Sequence, residues 1–230
     1  MKLDARVKLF VLLAGLFVTC LIVGDLIGGK LYQLDAGGLD LTISVGMIPF
    51  PIVFLLTDLI NEFYGARAAR WVTAVGFLMA WLTIGVLALA TAVPWAPQTS
   101  AADWAGVDQP AFDRVFASST RILVASTAAY LVAQLLDIGI FHLLKRRTHG
   151  RFLWLRATGS TVVSQGVDTV IIQLLAWWGI MSIGDIVSII ITSYLVKVVV
   201  AVALTPAIYA GHALVERGLK LAPMSPEADT

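Results

Sequence analysis

Charge is what this sequence has least of. Asp, Glu, Lys and Arg make up 13% of its 230 residues, about half of the roughly 25% that a soluble domain spends on its surface. Hydrophobic residues make up 59%. A water-facing globular fold is thereby excluded, as are a disordered chain and a charged coiled coil. Sulfur is scarce as well. Cys20 is the single cysteine, so no internal disulfide scaffold and no thiol pair at zinc or redox spacing is available. An excess of one sign of charge is also missing: 16 Lys and Arg against 15 Asp and Glu leave a formal net charge of +1, and no nucleic-acid partner is expected. Finally, no G-x-x-x-x-G-K-[ST], H-E-x-x-H or G-x-S-x-G occurs, so neither an intrinsic P-loop ATPase nor a hydrolytic enzyme is expected. No cofactor is implied.

What is present is long apolar runs. A hydrocarbon core about 30 Å thick takes about 20 mostly apolar residues per helix, and six runs qualify: Leu9–Ile27, Ile43–Ile60, Trp71–Val93, Ile122–Leu144, Ala157–Ile180 and Ile186–Val215. The expected fold class is an all-α integral membrane protein, a six-transmembrane-helix bundle in the lipid bilayer. Pro206 should kink or shorten the last run, because it lacks an N–H. The first run should stay as a helix, since further spans follow it rather than a soluble domain.

Basic residues mark cytoplasmic flanks. Lys2, Arg6 and Lys8, then Arg67 and Arg70, then Lys145, Arg146, Arg147, Arg151 and Arg156, then Arg217 and Lys220 account for twelve of the sixteen. The alternate loops hold Lys30 and Arg114 with Asp35, Asp40, Asp103, Asp108, Asp113 and Asp185. Both termini should therefore be cytoplasmic. Residues 1–220 read as one transmembrane domain and 221–230 as a disordered tail. The longest outer loop, Pro94–Ala117, carries Trp95, Trp104 and Phe112, expected as interfacial anchors. His142, His149 and His212 fall at or near cytoplasmic ends.

Ionisable groups inside spans cost at least about 2.5–3.5 kcal/mol each on insertion scales, so each needs a partner or a purpose. Asp25 lies near the outer end of the first span, Asp58 and Glu62 at the inner end of the second and Arg121 at the outer start of the fourth. Deeper are Asp137, Asp168 and Lys197. Asp168 and Lys197 each lie eleven residues into their runs, which places both near the midplane at about 1.5 Å per residue. Gln134 with Asp137, Gln165 with Asp168 and Tyr194 with Lys197 are spaced i,i+3; Asp58, Asn61 and Glu62 stand at i, i+3 and i+4; Thr161, Gln165 and Asp168 continue one stripe. Each set shares a helix face. Four polar faces that lipid cannot cover must turn inward, and a polar midplane cavity is expected. Carboxylates and amides at this spacing suit a planar heterocycle, the carboxylate accepting N–H donors and an aromatic ring stacking on the base. The chemistry alone fits an amine, a guanidinium or a metal ion equally. Polar packing between helices is the structural alternative, evenly balanced for Asp25 and Arg121. The G-x-x-x-G of Gly24 and Gly28 is too common to weigh.

The stretch Phe50-Pro51-Ile52-Val53-Phe54-Leu55-Leu56-Thr57-Asp58-Leu59-Ile60-Asn61-Glu62-Phe63-Tyr64-Gly65 resembles the FP…F…TD…NE.YG signature of the queuosine-precursor transporters, the VUT family. So do Arg121, Ala133-Gln134-Leu135-Leu136-Asp137, Gly159-Ser160-Thr161, Ser164-Gln165-Gly166-Val167-Asp168-Thr169, and Tyr194 with Lys197. The resemblance runs from about Ile43 to Pro206, the outer loop excepted. It implies a six-helix protein of the bacterial inner membrane that imports 7-cyano-7-deazaguanine or 7-aminomethyl-7-deazaguanine, bases from which queuosine in tRNA is made. It further implies that Asp168 or Asp137 takes the guanidine-like edge, that Gln165 and Gln134 read the rest, and that Lys197 donates to O6 or balances Asp168. Asp58, Asn61, Glu62, Ser164, Tyr194 and Arg121 complete the candidate substrate-binding set.

Six helices in this order also resemble the S-components of energy-coupling-factor vitamin importers, which dock on an ATPase module through small residues on the first helix. Ala14 and Val18 match that face poorly, so a transporter without an ATPase subunit is favoured. A non-transport membrane scaffold is the remaining alternative. A homodimer is allowed but not required.

Overall fold

The computed structural model describes residues 4–28, 30–35, 40–101, 104–116 and 120–225. Helix α1 covers Ala5–Ile27. A short antiparallel ribbon follows, β1 Leu31–Asp35 paired with β2 Asp40–Ser44. Then come α2 Phe50–Ala92, α3 Gln109–Phe116, α4 Thr120–Arg147, α5 Leu153–Trp177, α6 Ile183–Ala203 and α7 Thr205–Ala213. Arg121 lies in α4, but its side chain is outside the described residues, as are Lys2, Asp103, residues 226–230 of the tail and the side chains of Asp35 and Asp40.

Among the described residues, four helical stretches are long and apolar enough to cross a membrane: Ala5–Ile27, Val45–Ala92, Val124–Arg147 and Ile183–Gly218. Two of them contain breaks. At 43 residues, α2 would be about 65 Å long if straight, twice what a bilayer core needs. Gly65 interrupts it with φ 83° and ψ 173°, a conformation open essentially to glycine alone. The chain reverses there, as the packing along α1 shows. Near the start of α1, the Arg6 guanidinium donates to the Phe63 carbonyl (2.6 Å), and the Tyr64 hydroxyl donates to the Arg6 carbonyl (2.6 Å). At the far end, Gly24 abuts Gly46 and Pro49, while Asp25 and Leu26 share a small recess with Thr83, Ile84 and Leu87. Residues 50–64 thus run against α1, and 66–92 run back alongside it. The second break is at Pro206, in the first turn of α7, where its missing N–H is harmless; the expected single run Ile186–Val215 is two helices. The run expected to begin at Ile43 begins at Phe50, because Ile43 belongs to the ribbon.

The fifth run is helical but falls outside the apolar set, since its Ser, Thr, Gln, Asp and Arg side chains lower its hydropathy. Those side chains face inward. Arg156, Ser160, Thr161, Ser164, Gln165 and Thr169 are buried, while Val11, Leu12, Leu78, Leu89, Val199 and Leu214 are exposed. A polar inside and an apolar outside is the pattern lipid imposes, because buried polar groups then satisfy one another. The apolar core lies between α1, residues 50–64 and α4, built on Leu13, Phe17, Leu59, Ile60, Phe63 and Ile138. Glycines permit the close approaches: a Cβ on Gly76 would stand 2.9 Å from the Tyr130 hydroxyl and 3.1 Å from Phe17 and Leu21, and one on Gly211 3.3 Å from Leu59. Between α2 and α4, Trp95 packs edge-on against Phe112 at 5.6 Å.

Candidate functional site

The inward faces of residues 50–64, α4, α5 and α6 form three polar tiers. In the outermost tier, Lys197 Nζ donates to Asp168 Oδ2 at 2.5 Å, and the ammonium stands 5.3 Å from the centre of the Phe50 ring. The two residues placed at one depth by their position along the helices do meet. The Tyr194 hydroxyl, one turn away on α6, donates to the Val162 carbonyl of α5 (3.1 Å), and its ring lies against Gly166.

One turn farther in along α5 lies the middle tier. Ser164 Oγ and Thr161 Oγ1 donate to Asp137 Oδ1 at 3.0 and 3.4 Å. Gln134 Nε2 donates to Thr57 Oγ1 at 2.9 Å, and Asn61 Nδ2 to the Ile138 carbonyl at 3.4 Å. Asp58 faces the same space, and Asp137 is its foremost charged neighbour, ahead of Glu62 and Arg156. Five buried atoms here have no hydrogen-bond partner among the described residues: both oxygens of Asp58, Oδ1 of Asn61, Oδ2 of Asp137 and Oε1 of Gln165. All five are acceptors. Their residues are 1–3% exposed, so bulk water does not serve them, and an unmatched buried acceptor costs about 1–3 kcal/mol.

The innermost tier is organised around Glu62. Arg156 donates to it in a two-pronged arrangement, Nε to Oε2 at 3.1 Å and Nη2 to Oε1 at 2.7 Å. Lys145 Nζ stands 3.1 Å from Oε2 and also donates to the Glu62 carbonyl at 2.9 Å. His212 Nε2 approaches Oε1 at 3.6 Å, its other nitrogen lying 3.4 Å from Glu216. The guanidinium of Arg156 closes the α4–α5 turn as well, donating to the carbonyls of Gly150 (2.7 Å) and Arg151 (3.1 Å). The Met224 N–H donates to the Glu62 carbonyl at 3.0 Å.

Of the candidate residues, Asp58, Asn61, Gln134, Asp137, Ser164 and Gln165 come together in the middle tier, and Asp168 with Lys197 just outside it. Tyr194 is committed to the backbone of α5. Glu62 is committed to cations. Lys145 and Arg156, counted from the sequence as loop charges, are instead buried at 4% and 2% exposure, and they supply Glu62 with partners the sequence did not credit to it. A signal for them exists in spacing: Arg156, Ser160, Ser164 and Asp168 succeed one another at four-residue steps, as do Asp137, Phe141 and Lys145, the first series holding one face for about three turns and the second for about two. Thr57, beside Asp58, joins the tier through Gln134 without belonging to the expected set. Among the described residues no group of three His, Cys, Asp or Glu is gathered for a metal.

Apolar outside, polar and acceptor-rich inside, and with its helices joined through buried side chains, the chain is a multi-pass membrane protein. The family described as "Putative vitamin uptake transporter" matches residues 44–211. The chain belongs to that family, one of transporters and not of enzymes. It is 31% identical over 180 residues to the "Probable queuosine precursor transporter" of Bacillus subtilis (strain 168), covering 76% of this chain and 74% of that one. It is 30% identical over 148 residues to the "Queuosine precursor transporter" of Escherichia coli (strain K12), covering 64% and 61%. No solved structure matches the chain.

Proposed function

We propose that this protein imports queuosine precursors, 7-cyano-7-deazaguanine or 7-aminomethyl-7-deazaguanine, across the bacterial inner membrane as a six-pass bundle with both termini cytoplasmic and no ATPase subunit. The observation that carries the substrate class is the middle tier's one-sided surplus: among the described residues, five buried acceptors stand there without a single unmatched donor beside them. A guanine-like edge is rich in donors, with N1–H and the exocyclic N–H2 side by side. Asp58 and Asp137 would accept from that edge, and the side-chain carbonyls of Asn61 and Gln165 from the remaining N–H groups. Phe54, one turn outward of Asp58 and buried, offers a ring face for the heterocycle. Relatives named as queuosine precursor transporters support the reading. The reversal at Gly65, which divides α2 into two segments, and the position of α5, whose polar stripe is covered by α4 and α6, support the six-pass reading.

The test is salvage in bacteria that cannot make the precursor and lack their own importer. Expressing this chain and supplying 7-cyano-7-deazaguanine should restore queuosine in tRNA, read by mass spectrometry of digested tRNA. Asp137→Ala with Gln165→Ala, at matched membrane abundance, should remove it. Normal queuosine in that double variant would refute the assignment of the middle tier as the substrate site.

A further inference from the structure

Hydrogen bonds and charge have to be balanced separately in the middle tier. A neutral base can satisfy the acceptors, yet it brings no positive charge. Around the tier stand four carboxylates, Asp58 and Glu62 of α2, Asp137 of α4 and Asp168 of α5. Three cations face them: Lys145 of α4, Arg156 of α5 and Lys197 of α6. Lys197 is spent on Asp168, and Arg156 and Lys145 on Glu62. The second cation on Glu62 offsets one further negative charge, and Asp58 is one turn away and feels Arg156. One negative charge remains over. Among the described residues no other lysine or arginine is buried to supply the difference. His212 of α7 is shared with the exposed Glu216. Arg6 of α1 is turned to the Phe63 carbonyl, and Asp25, farther out on α1, adds another acid. Asp113 and Arg114 of α3 belong to the outer loop and offset each other. Two like charges held together in a dry interior repel strongly, and a pair in that position titrates as a unit.

We propose that Asp58 and Asp137 hold one proton between them, that this proton travels inward with a neutral deazaguanine, and that a deazaguanine bearing an ammonium arm displaces it. The proton is taken from external water onto a carboxylate oxygen and released to the cytoplasmic side with the base. Uptake of the neutral base is then driven by the proton gradient, while the cationic base responds to membrane potential in the proton's place. The inference rests on the transport reading above, deepening it at the same tier.

Two measurements on the purified wild-type protein test it. In calorimetry with buffers of different ionisation enthalpy, binding of 7-aminomethyl-7-deazaguanine should release about one proton and binding of 7-cyano-7-deazaguanine about none, the count being set by the charge each ligand carries. In proteoliposomes one pH unit more alkaline inside, 7-cyano-7-deazaguanine should accumulate up to about tenfold, the limit for one proton per base, and a protonophore should abolish this. Equal proton counts for the two bases, or uptake indifferent to the gradient while labelled-for-unlabelled exchange proceeds, would overturn the coupling and leave the transport reading standing. Absence of both binding and exchange for either base would overturn both.

Discussion

Glu62 is held by two full cations at hydrogen-bonding distance in a place water does not reach. Such a pair contributes little net stability against an apolar replacement, but removing one member strands its partners, typically at about 3–5 kcal/mol. Glu62→Gln should therefore lower the melting temperature in detergent sharply, and Glu62→Gln with Arg156→Gln by clearly less than the sum of the two single changes. An additive double variant would mean that the two residues do not act as a pair. Asp168 and Lys197 allow the complementary measurement. Asp168→Asn should destabilise by leaving the ammonium alone, and adding Lys197→Met should recover most of the loss, as melting curves of the single and double variants would show. Pairing was legible at this scale only where both partners sat inside apolar runs. Asp168 and Lys197 did. Lys145 and Arg156 stand at run ends among other basic residues, where a count of loop charges absorbs them, and only the packed structure separates buried Lys145 from its exposed neighbours Arg146 and Arg147, and buried Arg156 from exposed Arg151.

At the scale of the helix, apolar length and chain direction are different kinds of information. Hydropathy separated 43–60 from 71–93 because Arg67 and Arg70 lie between them, and the structure has helix on both sides of Arg67 and of Arg70. The physical break is one residue, Gly65, whose backbone no side chain accommodates easily. Gly65→Ala should cost about 1–3 kcal/mol, visible as a lower melting temperature and a smaller yield of folded protein in membranes. Wild-type stability in that variant would show that the reversal does not depend on the glycine conformation. Pro206 was legible for the same reason that Gly65 is decisive, since backbone chemistry there overrides an unbroken apolar pattern. The ribbon of β1 and β2 was not legible in this way. Its Ile43 was absorbed into the following apolar run, because a hydropathy window cannot distinguish the outward-leading end of a span from the alternating residues of a short strand.

For the molecule as a whole, the bundle's polarity from end to end follows from two independent orderings. Twelve basic residues fall at one side in the sequence, and the structure gathers Arg6, Glu62, Lys145, Arg156, His212 and Met224 around one end of the helices. The other end carries the ribbon, the Trp95–Phe112 contact and α3. These orderings agree because Lys and Arg resist translocation, and because the same residues, once retained, can reach the carbonyls and carboxylates that close the inner tier. Two exposed positions at opposite ends make this testable: Gln98 in the long outer loop and Arg146 in the α4–α5 turn. With Cys20→Ser as background, Gln98→Cys should react with a membrane-impermeant maleimide on intact cells, and Arg146→Cys only after the inner membrane is permeabilised. Labelling of both on intact cells, or in the reverse order, would place the Glu62 cluster on the outer side and remove the cytoplasmic assignment of the termini with it.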